Sequence, residues 1–429
     1  MPPLPYRDPA PSPLLINVMG QVNRLGILPH LVRIRSIDIP ADDHARLSQA
    51  LSTRSATFLT PTHPEFLTDW MIDKELSRRY APLLASWAAA DIVNASPLAQ
   101  KFWLANGLIA NTPGGGGKSY SLQNARLGRG VLLHPEGAVN WQAERVWPLH
   151  PGAADMALTL AQSLESVHDP MPVQIVPIAW RMTFTEDVSA QLISEMQLIE
   201  RECGLSLWPS NDPAERLTAL LGAVLSQRAH QLGLRRPDLA VARPDPGYFE
   251  AQALVFTELR CRLEREYGAL PDDPMHALRA IGRGIRRRQN VDPTEATRDQ
   301  QMLIEYLRLS RLDPSLYGRD TITQEQIAEV LKSTRALLVT RGWRNRLHNF
   351  LPRAVAPRVA HVRVAAPMDI RGAVALGTSA TAITNRLHGS LQQLQDTLTH
   401  ELEPTVGRFR RANPMEERNR YGASLAEAI

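Results

Sequence analysis

The sequence predicts an α/β protein: a layered mixed sheet with flanking helices, interrupted by a large α-helical insertion. Three features of the chain lead there. Between residues 33 and 180, short apolar runs of β type alternate with segments of helical period, as in a sheet layered with helices. After residue 180 the strand-like runs stop, and helical segments separated by Pro, Gly and Asp follow one another. Near residue 361 strand-like sequence returns. The expected division is a disordered tail at 1–13, an α/β core at 14–182 and a helical insertion at 183–354. Residues 355–429 then supply the closing strand and C-terminal helix of the core, with a polar tail after Arg408.

Taken in order, the Pro-rich start gives way at 14–32 to a stretch in which Asn17, Gln21, Asn23 and Arg24 punctuate apolar residues. Such an amphipathic pattern fits a helix packed on its own domain or one lying on a membrane surface. Strands are expected at 32–39, 56–59, 108–111, 130–134 and 173–178. Helices are expected from 41, at 65–80, 82–92 and 98–106, from 120, and at 152–166. The insertion reads as helices at 190–203, 213–232, 248–267, 275–289, 295–309 and 324–341. Strand-like pieces at 361–364 and 367–370 and a helix at 378–402 bring the chain back to the sheet. No internal repeat is evident.

Bulk properties narrow the function. The chain has 429 residues, 44% of them hydrophobic, enough for two or three globular domains. Lys and Arg number 48 against 44 Asp and Glu, a net charge of +4 that does not argue for nucleic acid. Arg279, Arg283, Arg286, Arg287 and Arg288 form one basic run, and Arg341, Arg344, Arg346, Arg353, Arg358 and Arg363 another. Few aromatics interleave with them, so they fit anionic lipid headgroups or a solvated face better than a nucleic-acid strand. Cys203 and Cys261 have no ligand-type spacing, so reduced thiols are expected rather than a disulfide or a structural zinc site. With no basic n-region before an apolar core and no apolar run of membrane-spanning length, a soluble cytoplasmic protein is expected, with a peripheral seat on the inner face of the cell membrane as an option. No GxSxG, HExxH or strand-borne GxGxxG pattern occurs.

Two segments carry chemistry. Thr60-Pro61-Thr62-His63-Pro64-Glu65-Phe66-Leu67-Thr68-Asp69 and Val131-Leu132-Leu133-His134-Pro135-Glu136-Gly137 each begin with an apolar strand and stop at polar residues. That is how a buried strand delivers a site to a sheet edge. Between them lies Pro113-Gly114-Gly115-Gly116-Gly117-Lys118-Ser119, whose glycines expose backbone N–H groups next to the Lys118 charge, ahead of a helix start that favours anions. Phosphate binding and a plain flexible loop both fit it. A P-loop does not, because Thr112 stands where the first glycine of GxxxxGK[ST] belongs.

Together these boxes resemble the glycerolipid acyltransferase superfamily, whose members move a fatty acyl group from a thioester to a glycerol phosphate hydroxyl. That family has a His-x4-Asp box after one strand and a Pro-Glu-Gly box after a later one. Here Pro135, Glu136 and Gly137 match the second box literally, while His63 is followed by Thr68 at the expected place and by Asp69 one residue later. The resemblance spans about residues 50–182, including the strand that ends in Val176-Pro177, and reaches 358–371 more weakly.

The resemblance implies that His63 is the general base and Asp69 its orienting carboxylate, with a wider turn absorbing the extra residue. Glu65 is the alternative orienter. Glu136 is expected to accept from a glycerol hydroxyl or to orient a cation, Gly137 to permit close backbone approach, and Gly117 with Lys118 to contact the acceptor phosphate. The family's Thr-Arg or Ser-Arg after the glycine is replaced by Ala138-Val139-Asn140-Trp141, leaving Arg145 as the substitute cation. Acyl-CoA or acyl carrier protein is implied as donor co-substrate, and a phosphorylated glycerol or lysophospholipid as acceptor, with no metal and no bound cofactor. A non-catalytic lipid-binding or scaffold protein and an acyl-thioester hydrolase are the alternatives on the same fold.

Overall fold

The computed structural model describes residues 4–52, 54–206, 210–235, 247–271 and 274–415. Ser12 accepts from the Leu15 N–H and, with Pro13 at the first helical position, opens α1 (Pro13–Val22). A π-helical segment, Asn23–Leu31, continues it through Pro29. There follow β1 (Ile34–Asp38), α2 (Ala41–Ala50), β2 (Ala56–Pro61), α3 (Thr68–Tyr80), β3 (Ala85–Ala89), α4 (Ala90–Val93), α5 (Pro97–Ala105) and β4 (Leu108–Asn111). The chain continues with α6 (Gly117–Arg126), β5 (Val131–Leu132), α7 (Gly152–Ser166) and β6 (Val173–Phe184). Next come α8 (Ser189–Cys203), α9 (Pro213–Gln231), α10 (Tyr248–Tyr267), α11 (Pro274–Arg288), α12 (Pro293–Ser310), α13 (Pro314–Tyr317), β7 (Thr321–Ile322), α14 (Gln324–Leu338) and α15 (Trp343–Phe350). The last elements are β8 (Arg358–Val364), β9 (Met368–Asp369), α16 (Ile370–Ala375), α17 (Ala380–Val406), a 3-10 turn and β10 (Arg411–Ala412).

The chain divides into two compact units. The first comprises Met1–Thr185 and Leu351–Glu403, the second Glu186–Phe350 and Pro404–Ile429. The first is the α/β unit. Its strands lie in the order β1-β8-β6-β2-β5-β3-β4, with β9 also pairing β6. Strands β6, β2, β5, β3 and β4 run parallel, whereas β8 and β9 are antiparallel to β6 and β1 is parallel to β8. All six residues of β2 are buried, as befits a central strand covered on both faces. Phe58 packs on one face with Ile109, Val131, Ile175, α7 residues Ala157 and Leu160, and α17 residues Leu387 and Leu391. Leu59, one residue on, packs on the other with Leu47, Ile72, Leu76, Val176 and Trp180.

The second unit is mainly helical. Its helices start at acid–proline or hydroxyl signals: Asp212 before Pro213, Asp292 before Pro293, and a capping box between Thr323 and Gln326. Two buried guanidinium–carboxylate pairs, Arg216–Glu200 and Arg308–Glu305, lie inside it.

Several sequence expectations change. The expected disordered tail is ordered from residue 4: the Pro5 carbonyl accepts from Gln100 Nε2 at 3.0 Å, and the Ala10 and Ser12 N–H groups donate to Leu104 and Ala105. Residues 1–3 lie outside the described ones. The helix expected at 82–92 is instead strand β3 plus a short helix, because pairing with β4 and β5 overrides the helix preference of its alanines. Strand β6 extends through Phe184. The C-terminal polar tail is structured to residue 415 and belongs to the second unit, where β10 pairs β7 and Asn413 Nδ2 donates to the Tyr317 and Arg319 carbonyls. Residues 416–429 lie outside the described ones.

Candidate functional site

The five parallel strands bring their C-terminal ends to one edge of the sheet, where ligands of open α/β sheets are commonly held. His63 follows β2 there and His134 follows its neighbour β5. Helix α3 begins at Thr68 rather than at Pro64, leaving residues 62–67 as a loop. Its last step is a γ-turn: the Thr68 N–H donates to the Phe66 carbonyl at 2.8 Å, and Leu67 takes φ 64° and ψ −46°. This turn takes up the residue that separates the box from His-x4-Asp.

As a result Asp69 Oδ2 lies 2.8 Å from His63 Nδ1. The same oxygen accepts the Glu65 N–H at 2.9 Å, so it is placed as an acceptor and Nδ1 as the donor. Nε2 is then the basic nitrogen of His63, whose side chain is 20% exposed while Asp69 shows none of its surface. Burial, then the charge of His134, holds His63 well below the usual histidine range. Burial pushes Asp69 well upward, the Glu65 N–H opposes it, and the Glu65, Asp73 and Glu136 carboxylates add to it. Because Asp69 Oδ2 already accepts the Glu65 N–H, the hydrogen bond between the pair places its proton on His63 Nδ1.

A second pair lies against the first. His134 Nε2 is 3.0 Å from Asp73 Oδ2, and its ring stacks on His63 with centroids 4.1 Å apart and planes 17° apart. Asp69 and Asp73 stand four apart on α3, which puts both carboxylates on one helix face. Sequence reading missed His134 and Asp73. The available signal was the Asp69-x3-Asp73 spacing, together with an imidazole immediately before the Pro-Glu-Gly box.

Glu136 is turned into the protein rather than toward the open edge of the sheet. It is fully buried; Oε1 accepts the His63 N–H at 2.7 Å, and Oε2 accepts Asn140 Nδ2 at 2.6 Å and the Trp147 N–H at 3.0 Å. Burial pushes its carboxyl up to about 7 against the pull of these donors. It holds the His63 backbone from behind, and the Asn140 N–H donates to the His63 carbonyl at 3.0 Å. Gly137 is exposed at φ 71°, in a turn closed by its N–H on the His134 carbonyl.

Glu65 is not the orienter: it is buried in an ion pair with Arg358, which is therefore an interior residue rather than a lipid-facing one. Arg363 likewise pairs with Asp38 and Glu401. Arg283, Arg286 and Arg287 are exposed; the side chain of Arg279 lies outside the described ones. Arg145 is exposed, with its carbonyl taken by Asn140.

The glycine run is packed rather than loose. Side-chain carbons at Gly115 and Gly116 would meet the Tyr6 ring at about 3 Å, and one at Gly117 would meet Ile109 and Trp87 at 3.0 Å. Lys118 is exposed at the start of α6, which follows β4, and β4 lies two strands from β5 in the sheet.

Among the described residues no group of three or more His, Cys, Asp or Glu is placed to hold a metal ion, and no helix is long and apolar enough to cross a membrane. No family model matches the chain, and no curated protein matches it.

Proposed function

We propose that the protein is an O-acyltransferase that moves a fatty acyl group from a thioester to the hydroxyl of a phosphorylated glycerol or a lysophospholipid. The observation that carries this reading is the His63–Asp69 pair at 2.8 Å, at the C-terminal edge of a parallel sheet, with Nε2 left to act as base. His63 Nε2 removes the acceptor hydroxyl proton as that oxygen attacks the thioester carbonyl. The tetrahedral intermediate collapses, the C–S bond breaks, and the thiolate takes the proton back from His63. Asp69 holds the tautomer and stabilises the transient imidazolium. The transfer is direct, within a complex of donor and acceptor. Acyl-CoA and acyl carrier protein are the two donor types, and Lys118 is the cation for the acceptor phosphate.

A cytoplasmic location with a peripheral seat on an anionic membrane belongs to the same proposal. The seat on a membrane surface is supported by Leu14, Val18, Val22 and Leu25, which recur at helical spacing and are 45–76% exposed.

A second reading, hydrolysis of acyl thioesters with water as acceptor, is favoured by the inward-facing carboxylate of Glu136, which leaves it no hydroxyl to hold. Purified protein incubated with labelled long-chain acyl-CoA and a panel of glycerol phosphates and lysophospholipids decides between the two. Transfer that falls at least about 100-fold in His63→Ala and in Asp69→Asn is expected. Full transfer by folded His63→Ala would sink the proposal; free fatty acid formed without any acceptor would favour hydrolysis. Lipid binding with no turnover would favour a scaffold.

A further inference from the structure

Both ring nitrogens of His134 face oxygen. Nδ1 lies 3.1 Å from the Thr62 carbonyl and 3.3 Å from that of Pro61, groups that only accept, so Nδ1 carries a proton. Nε2 lies 3.0 Å from the Asp73 carboxylate. An imidazole held between a peptide carbonyl and a carboxylate is arranged to keep two protons. The stacking geometry sets that ring flat against His63, the base of the proposed reaction.

We propose that His134 is a positioning residue: an imidazolium clamped by Thr62 and Asp73 that stacks on His63 and keeps Nε2 of His63 unprotonated and ready to act as a base. The inference rests on reading His63 as the general base, and it goes beyond the His-x4-Asp and Pro-Glu-Gly boxes, neither of which contains this histidine or Asp73. The charge also makes the His63 imidazolium formed during the attack a stronger acid, which favours return of the proton to the departing thiolate.

The groups facing His134 are Asp73 from α3, the Thr62 and Pro61 carbonyls from the end of β2, the Trp180 ring edge from β6 and Glu136 from its own loop. Those facing His63 are Asp69 from α3, His134 from the loop after β5, and Glu136 through the backbone N–H. Burial alone would lower the His134 pKa, but Asp73 first, then the Thr62 carbonyl and Glu136, reverse this and raise it. The His63 pKa moves the other way, through burial and then the His134 charge. The two histidine directions agree with the geometry, while burial raises the Asp73 carboxyl against the opposing pull of His134.

The test is an imidazole nitrogen NMR titration of the full-length chain labelled at histidine, with His63 assigned through His63→Ala. In the wild type His134 should be doubly protonated at neutral pH and His63 protonated on Nδ1 only. His134→Phe keeps an aromatic stack and removes the charge; His134→Gln keeps a hydrogen-bonding side chain and also removes the charge. Both should raise the His63 titration midpoint by about 1 pH unit or more, the size of a unit charge at this distance. The acidic limb of kcat/KM should move up by the same amount. A neutral His134 in the wild type overturns the proposal, as does a wild-type His63 midpoint in both folded variants. The titration needs no turnover, so a shifted midpoint with no acyl transfer would leave the coupling standing and remove only the acyltransferase reading.

Discussion

Glu136 accepts three N–H donors while exposing none of its surface, and one of those donors is the backbone of His63. Glu136→Gln supplies only one acceptor oxygen, so its amide nitrogen must face either the His63 N–H or the donors from Asn140 and Trp147. A buried donor facing a donor costs about 1–3 kcal/mol, and a shift of His63 by even part of an ångström lowers transfer about 10- to 100-fold. Both are checked by unfolding and by transfer assays on the same preparation. The raised carboxyl adds a pH signature. The folded state holds this proton up to about 7, whereas an unfolded glutamate releases it near 4.5. Wild-type stability from this group is therefore full below the lower value and is lost as pH rises to the upper one, by about 3 kcal/mol. The Gln variant lacks that slope, so urea midpoints at pH 5 and pH 8 should converge with the wild type at the higher pH. At this scale His63, Asp69 and Glu136 were legible as a set because their strand-end spacing is local. The inward-facing contacts of Glu136, and the partnership of His134 with Asp73, were not, because they depend on which side chains a sheet of non-sequential strands brings together.

At the scale of elements, the glycine run shows how a composition signal admits several structures. Four glycines read equally as a phosphate cradle or a loose loop, yet Gly115 and Gly116 accept the Tyr6 ring and Gly117 lets α6 approach Ile109 on β4 and Trp87 on β3. Gly117→Val inserts branched carbon where a single Cβ already meets both neighbours at 3.0 Å. It should lower stability by about 1–3 kcal/mol in urea unfolding. The adjacent, exposed Lys118→Ala should stay within about 0.5 kcal/mol of wild type while raising KM for a phosphorylated acceptor. An unchanged KM would remove Lys118 from the acceptor site. Strand β3 was illegible for a related reason: its three alanines favour helix locally, and only the β4 and β5 ladders on either side make it a strand. Six helices of the second unit were read closely, helped by acid–proline starts such as Asp212-Pro213 and Asp292-Pro293 that are complete in the local sequence, whereas the short α13 and α15 were not read.

For the whole molecule, the decisive feature is where the helical segment leaves the sheet. Strands β6 and β8 are adjacent and antiparallel, with Phe184 opposite Arg358, and the Thr185 N–H meets the Pro357 carbonyl. Residues 186–350 are therefore inserted at the open end of a β-hairpin, whose two strands a turn of two to five residues is able to join. Strand β8 lies between β1 and β6 and supplies Arg358 to Glu65, so the α/β unit cannot be completed by the chain before residue 185. Two truncations test this asymmetry. A chain ending at Thr185 leaves β1 without β8, its neighbour among the described residues, and removes the Arg358 guanidinium from Glu65, a loss of about 3–5 kcal/mol from the ion pair alone. It should show no cooperative thermal transition. A chain of residues 1–185 joined by an Asn-Gly turn to residues 357–403 retains every strand of the large sheet, the His63–Asp69 pair and the His134–Asp73 pair. It should unfold cooperatively and keep the stacked-histidine NMR signature. If that shortened chain carries transfer as well, the chemistry belongs to the α/β unit and the helical unit serves recognition or attachment. A folded but inactive product would assign the helical unit a part in holding donor or acceptor, since His63 and its braces are all retained.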